Sequence, residues 1–170
     1  MGKKVGFTGT SRGASKFQLD ELEAKLKKLK EEGFDEFHHG LCIGADEQAA
    51  EIAKKLGYRV VAHPGLASDP KNLRYRSEFA GNDEMREAKP FIARDREMVD
   101  ETERMLATPI SRMEEVRSGT WTTVRYARSK NKPIDLILPP FVPPKWALPP
   151  VKTNAIAGDD PKALIKRGVK

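Results

Sequence analysis

The chain has 170 residues, of which 38% are hydrophobic and 33% charged, with a formal net charge of +6. That length suits one domain with a proper core and is short for two of ordinary size, and no apolar run approaches the roughly 20 residues of a membrane-spanning helix. A single cysteine, Cys42, leaves no intrachain disulfide to suggest an oxidising compartment.

The N-terminal MGKKVGFTGTSRG lacks a secretory apolar core, and Gly6 stands where a myristoylation signal requires Ser or Thr, so a cytoplasmic protein is expected. Within it, Lys3 to Thr8 reads as a buried strand running into the glycine loop GTSRG. Ser15 and Gln18 have capping-box spacing. Leu19, Leu22, Leu26 and Leu29 then recur at helical spacing until Gly33. Phe34 to His39 predicts a second strand, leading into GLCIGAD. Ala45, Ala49, Ile52, Ala53 and Leu56 form a second helical stripe, and Tyr58 to Ala62 a third strand. Strand, helix, strand, helix, strand with short connections argues for a parallel sheet covered on both faces.

From Leu66 to Pro90 the pattern is weak, and a loop with one short helix is expected. Ala93 to Glu103 reads as a helix, Arg104 to Ala107 as a fourth strand, Trp121 to Lys130 as a further helix, and Pro133 to Leu138 as a fifth strand. Seven prolines then fall between Pro139 and Pro161. The expected organisation is a domain over 1–139 and a Pro-rich arm over 140–170. The arm carries six Lys/Arg against two Asp, a balance of +4, which leaves +2 for the domain. A strongly basic nucleic-acid surface on the domain is therefore disfavoured.

GTSRG, GLCIGAD and Ser118-Gly119-Thr120 each precede a helix. In an open parallel sheet such loops meet at the carboxyl edge, where glycine admits a phosphate to the backbone and helix N-termini attract it. The candidate ligand contacts are Gly9, Thr10, Ser11 and Arg12; Gly40, Gly44, Ala45 and Asp46; Arg94 and Arg96; and Ser118, Gly119, Thr120, Trp121 and Thr123. Each has a plainer reading. Asp46 suits a helix start, the arginines suit a solvated helix face, and Trp121 suits the core as well as a base-stacking platform. Glu114 and Glu115 are the carboxylates nearest the last loop, either acid–base groups or turn residues. GxGxxG and GxxxxGK[ST] are both absent. His38, His39, Cys42 and His63 offer no metal-ligand spacing, and adjacent histidines on a strand face opposite ways, so no metal or other cofactor is expected.

HGLCIGADEQAAEIAKKLGYRVVAHPG followed by RSGTWTTVRYARSKNKPI resembles the Rossmann-like superfamily of LOG proteins and the DNA-processing protein DprA, over roughly residues 3–138. The second segment follows the DprA-like pattern more closely than the PGGxGTxxE of LOG phosphoribohydrolases. Gly119-Thr120 align with the GT of that pattern, while Thr123 takes the place of its catalytic glutamate. The resemblance implies a three-layer α/β domain with a mainly parallel sheet of about five strands. It also implies a nucleotide or nucleotide-derived ligand, held by a sensing or sequestering module. Two alternatives stay open: an N-glycosidic hydrolase or transferase, and a single-stranded DNA binder. A homo-oligomer assembled through the arm is a further expectation.

Overall fold

A computed structural model describes residues 2–147. It contains β1 (Lys3–Gly9), α1 (Lys16–Glu31), β2 (Phe34–His39), α2 (Ala45–Lys55), β3 (Arg59–Ala62), α3 (Pro70–Tyr75), β4 (Glu84–Met85), α4 (Phe91–Glu101), β5 (Arg104–Thr108), α5 (Gly119–Ser129) and β6 (Ile134–Leu136). The chain divides into two units after Pro140. The described part of the second holds one 3-10 turn, Lys145–Ala147; the rest of the arm lies outside the described residues.

The six strands form one sheet in the order β4-β3-β2-β1-β5-β6, and every pairing is parallel. The α/β three-layer expectation holds, with one strand more than the sequence pattern indicated. The extra strand is β4, two residues paired as Val61↔Glu84 and Ala62↔Met85. Its backbone bonds to β3 create it, since Glu-Met carries no apolar alternation.

Side-chain alternation along β1 divides the core. Val5 and Phe7 point to one face and join Leu22, Leu26, Phe37, Ala49, Ala53 and Val60 under α1 and α2. On the other face, Met98 and Val99 of α4 pack with Met105 and Ala127, and Trp121 and Val124 of α5 pack on Ala107. The capping box is present: Gln18 N–H donates to Ser15 Oγ at 3.2 Å, and Ser15 N–H to Gln18 Oε1 at 3.0 Å. The Gln18 amide also donates to the carbonyls of Pro109 and Ile137, both at 2.8 Å. A helix start is thereby tied to the carboxyl ends of two strands. Among the described residues no helix is long and apolar enough to cross a membrane.

Candidate functional site

Chain reversal between β1 and β5 opens a crevice at the carboxyl edge of a parallel sheet. Here it is a cavity of about 760 Å³. Gly9, Thr10, Ser11 and Arg12 line it from the first loop, Gly40, Cys42 and Asp46 from the second, and Ser118, Gly119 and Thr120 from the third. Arg94 and Asp95 of α4 complete the polar wall, and Tyr75 and Phe91 contribute aromatic rings.

The glycines of the second loop mainly let protein approach protein. Gly44 has φ 82°, and a Cβ there would lie 2.3 Å from Ser11 O. The first two loops are thus pressed together, fastened by Ala45 N–H donating to Thr10 O at 3.0 Å. A Cβ on Gly40 would lie 2.8 Å from Arg94 Nη1. Gly44 and Ala45 therefore support the wall without lining the cavity.

Arg94 is 5% exposed and bound by protein on several sides. Nη1 donates to Gly40 O and, at 3.1 Å, to His63 O; Nε donates to Asp95 Oδ1 at 2.6 Å. It ties β2, β3 and α4 together and has less to offer a phosphate than its sequence position suggested. Asp46 accepts from the N–H groups of Gly40 (3.1 Å) and Cys42 (3.3 Å). Burial pushes its carboxyl up to about 7 even so, against the pull of Arg94 and those two donors. Burial also raises Asp95, opposed by Arg94 and the Thr123 hydroxyl. The Cys42 thiol is pushed up to about 12, by burial and then by Asp46, which leaves it unsuited to act as a thiolate. Arg12, Arg94 and Arg117 face Asp46, Asp95 and Glu115 around the cavity, a balanced set.

At the third loop, Ser118 is the N-cap of α5, and its Oγ accepts from Trp121 N–H at 3.3 Å. The Thr122 and Thr123 hydroxyls donate back to Ser118 O (2.8 Å) and Gly119 O (3.1 Å). These hydroxyls bond within the helix start, and that of Thr123 also lies beside Asp95. The N–H groups of Gly119 and Thr120 have no acceptor among the described residues.

Other expected contacts fall elsewhere. Trp121 is 4% exposed and packs on Ala107 and Val124. Thr123, 1% exposed, is also core. Arg96 lies over the Tyr126 ring at 5.2 Å, away from the cavity. Glu115 lines the cavity, whereas Glu114 pairs with Arg125 at 3.1 Å. The sequence reading missed Asp95, Tyr75 and Phe91. Asp95 had one local cue, a carboxylate flanked by Arg94 and Arg96 near a helix start; the two aromatics had none.

His38 and His39 do face opposite sides of the sheet. His39 accepts from Leu41 N–H at 3.2 Å and bonds Asn82 Oδ1 at 2.7 Å, and burial lowers its pKa to about 4. His38, on the α4 face, meets His63 and Glu101, partners its sequence neighbours did not reveal.

No protein-family model matches the sequence, and no curated protein matches it significantly. Solved structures do match. The molybdenum cofactor binding protein from the phototrophic bacterium Rippkaea orientalis superposes with a TM-score of 0.61 at 22% identity, over 82% of this chain and 78% of that one. DNA processing protein A from Helicobacter pylori gives 0.56 at 20% identity, over 82% and 66%. The molybdenum cofactor carrier protein from Chlamydomonas reinhardtii gives 0.56 at 19% identity, over 82% and 79%. At such identities the likeness is one of fold: the chain has a Rossmann-like α/β fold, as these structures do.

Proposed function

We propose that the cavity binds a nucleotide or nucleotide-derived ligand, and that the protein senses, sequesters or presents it. One observation carries this reading. The two unpaired amides at the start of α5 share a single cavity with the Tyr75 and Phe91 rings and the guanidinium groups of Arg12 and Arg117. Helix-start amides suit a phosphate, aromatic rings suit a base, and the volume falls within the range of roughly 300–1,000 Å³ for small-molecule sites. The balanced charge of the wall favours a small ligand over a tracked polyanion.

The test is thermal unfolding against mononucleotides, NAD, ADP-ribose, cyclic nucleotides, the molybdenum cofactor and a short single-stranded oligonucleotide. The cofactor and the oligonucleotide are included because structural neighbours bind or carry the one and bind the other. A ligand at 100 times its Kd adds about 2.7 kcal/mol. A shift with a small nucleotide supports the reading. A shift with the oligonucleotide alone, weakening steeply with salt, replaces it with DNA binding.

A second reading, N-glycosidic cleavage, draws on Asp95, a half-buried carboxylate of raised pKa in the cavity wall. Asp95→Asn would then abolish release of base from a bound nucleotide while leaving binding in place. Equal release by wild type and variant removes Asp95 from that role.

A further inference from the structure

Two turns along α4 from Arg94, outside the cavity, three side chains from distant parts of the chain converge. We propose that His38, His63 and Glu101 bind a divalent transition-metal ion, with zinc best suited to the donor set. His38 Nδ1 lies 2.7 Å from His63 Nε2, and Glu101 Oε2 lies 3.7 Å from the first and 3.9 Å from the second. These edges bracket the ~3.3 Å separation that ligand atoms adopt around a tetrahedral ion at bond lengths of ~2.0–2.1 Å. A bound ion needs the two rings to part by about 0.6 Å and the carboxylate to close in by about 0.4–0.6 Å to reach that separation.

The surroundings fit the same purpose. Metal-binding imidazoles characteristically direct their second nitrogen to a carboxylate, which fixes the tautomer and leaves the first nitrogen bare. His38 Nε2 contacts Glu36 Oε1 at 2.7 Å, and His63 Nδ1 faces Glu97 Oε2 at 3.4 Å. A neutral imidazole has one N–H. If each ring donates outward, the two nitrogens 2.7 Å apart both present lone pairs, in rings with no solvent exposure. That contact calls for a cation between them. Arg86 Nη2 donates to Glu101 Oε2 at 3.1 Å and Lys89 to Glu97 Oε1 at 3.0 Å, which steadies both carboxylates. The Glu101 side chain is 28% exposed, providing an entry path and room for water as fourth ligand. Two imidazoles with a carboxylate suit zinc or cobalt better than magnesium or calcium. Such an ion would join β2, the end of β3 and α4, the helix that carries Arg94 and Asp95 into the cavity.

Full-length protein, stripped with chelator, is dialysed against zinc and, separately, cobalt(II). The expected result is one tightly held equivalent, with the intense visible absorption of tetrahedral cobalt and no sulfur-to-cobalt charge-transfer band. His63→Gln and Glu101→Gln lose the bound ion; Glu101→Gln, at a partly exposed site, is the variant safest for folding, checked by circular dichroism. Glu36→Gln, which weakens the support of His38 along with surface pairs to Arg59 and Lys4, weakens binding about 10- to 100-fold. Glu23→Gln on the far helix α1 changes nothing. The proposal is overturned if the folded protein takes up no metal, in which case a proton holds the two rings together. It is equally overturned by full-affinity uptake in both His63→Gln and Glu101→Gln, or by a sulfur charge-transfer band, which would implicate Cys42.

Discussion

Gly119 is the residue at which folding and ligand access separate most cleanly. A Cβ built there meets nothing within 4 Å, so Gly119→Ala strains no protein contact and removes a flexible residue from a helix start. The variant should melt at or above the wild-type temperature, yet bind a phosphate-bearing ligand at least about tenfold more weakly, because the methyl stands before the amides. Calorimetric titration beside a melting curve reads both effects. Asp46 governs pH dependence. Its folded pKa of about 7 lies above the ordinary aspartate value of 3.8, so the native state holds the proton more tightly than the unfolded chain. The stability this contributes is complete below the unfolded pKa and lost as pH rises through about 7. Arg94 and the N–H groups of Cys42 and Gly40 offset part of that loss, whereas the neighbouring Asp95 adds to it. An anion entering the cavity favours the same protonated form, so its affinity should rise as pH falls from 8 to 6. Asp46→Asn should flatten that profile; an unchanged slope would assign the dependence to another group.

At the scale of elements, α1 offers a comparison of two neighbouring polar residues. Ser15→Ala removes one cap contact and should cost about 1 kcal/mol. Gln18→Ala removes its half of the capping box and also strips the Pro109 and Ile137 carbonyls of a buried donor. With about 1–3 kcal/mol for each unsatisfied buried group, it should cost clearly more than Ser15→Ala. Urea unfolding midpoints decide; equal midpoints would mean that water replaces the Gln18 amide. The cap itself was legible because its residues are three apart, but the reach to β5 and β6 was not, since it spans 91 and 119 positions. The same division runs through the molecule. Val5, Phe7, Leu22 and Leu26 announce their elements by local periodicity, whereas β4 exists only through pairing. The three loops were legible as helix starts. That Gly44 serves loop contact and that His38 meets His63 are long-range facts without local pattern, whereas the core position of Trp121 was among the readings its helix position allowed.

For the whole molecule, every buried cluster among the described residues draws on residues between Val5 and Leu138. A chain ending at Pro140 should therefore fold, with a melting temperature within about 4 °C of full length, the shift that ~1 kcal/mol produces at this size. It also sheds the +4 charge balance of residues 141–170. If the oligonucleotide arm of the binding panel depends on that charge, its salt dependence should vanish in the shortened chain while any nucleotide binding persists. A nucleotide signal lost along with the tail would place part of the binding energy beyond residue 140.

The position of β1 has a consequence for synthesis. One edge of this strand pairs with β2, complete by His39, while its other edge waits for β5, which begins at Arg104. At about 5–20 residues per second, translation separates the two partners by roughly 3–13 s. Throughout that interval the apolar strand shows an unpaired backbone edge, the feature that invites pairing with other chains. The strand at the centre of the finished sheet is thus an open edge in the nascent one, and the soluble yield depends on how fast residues 40–103 are made.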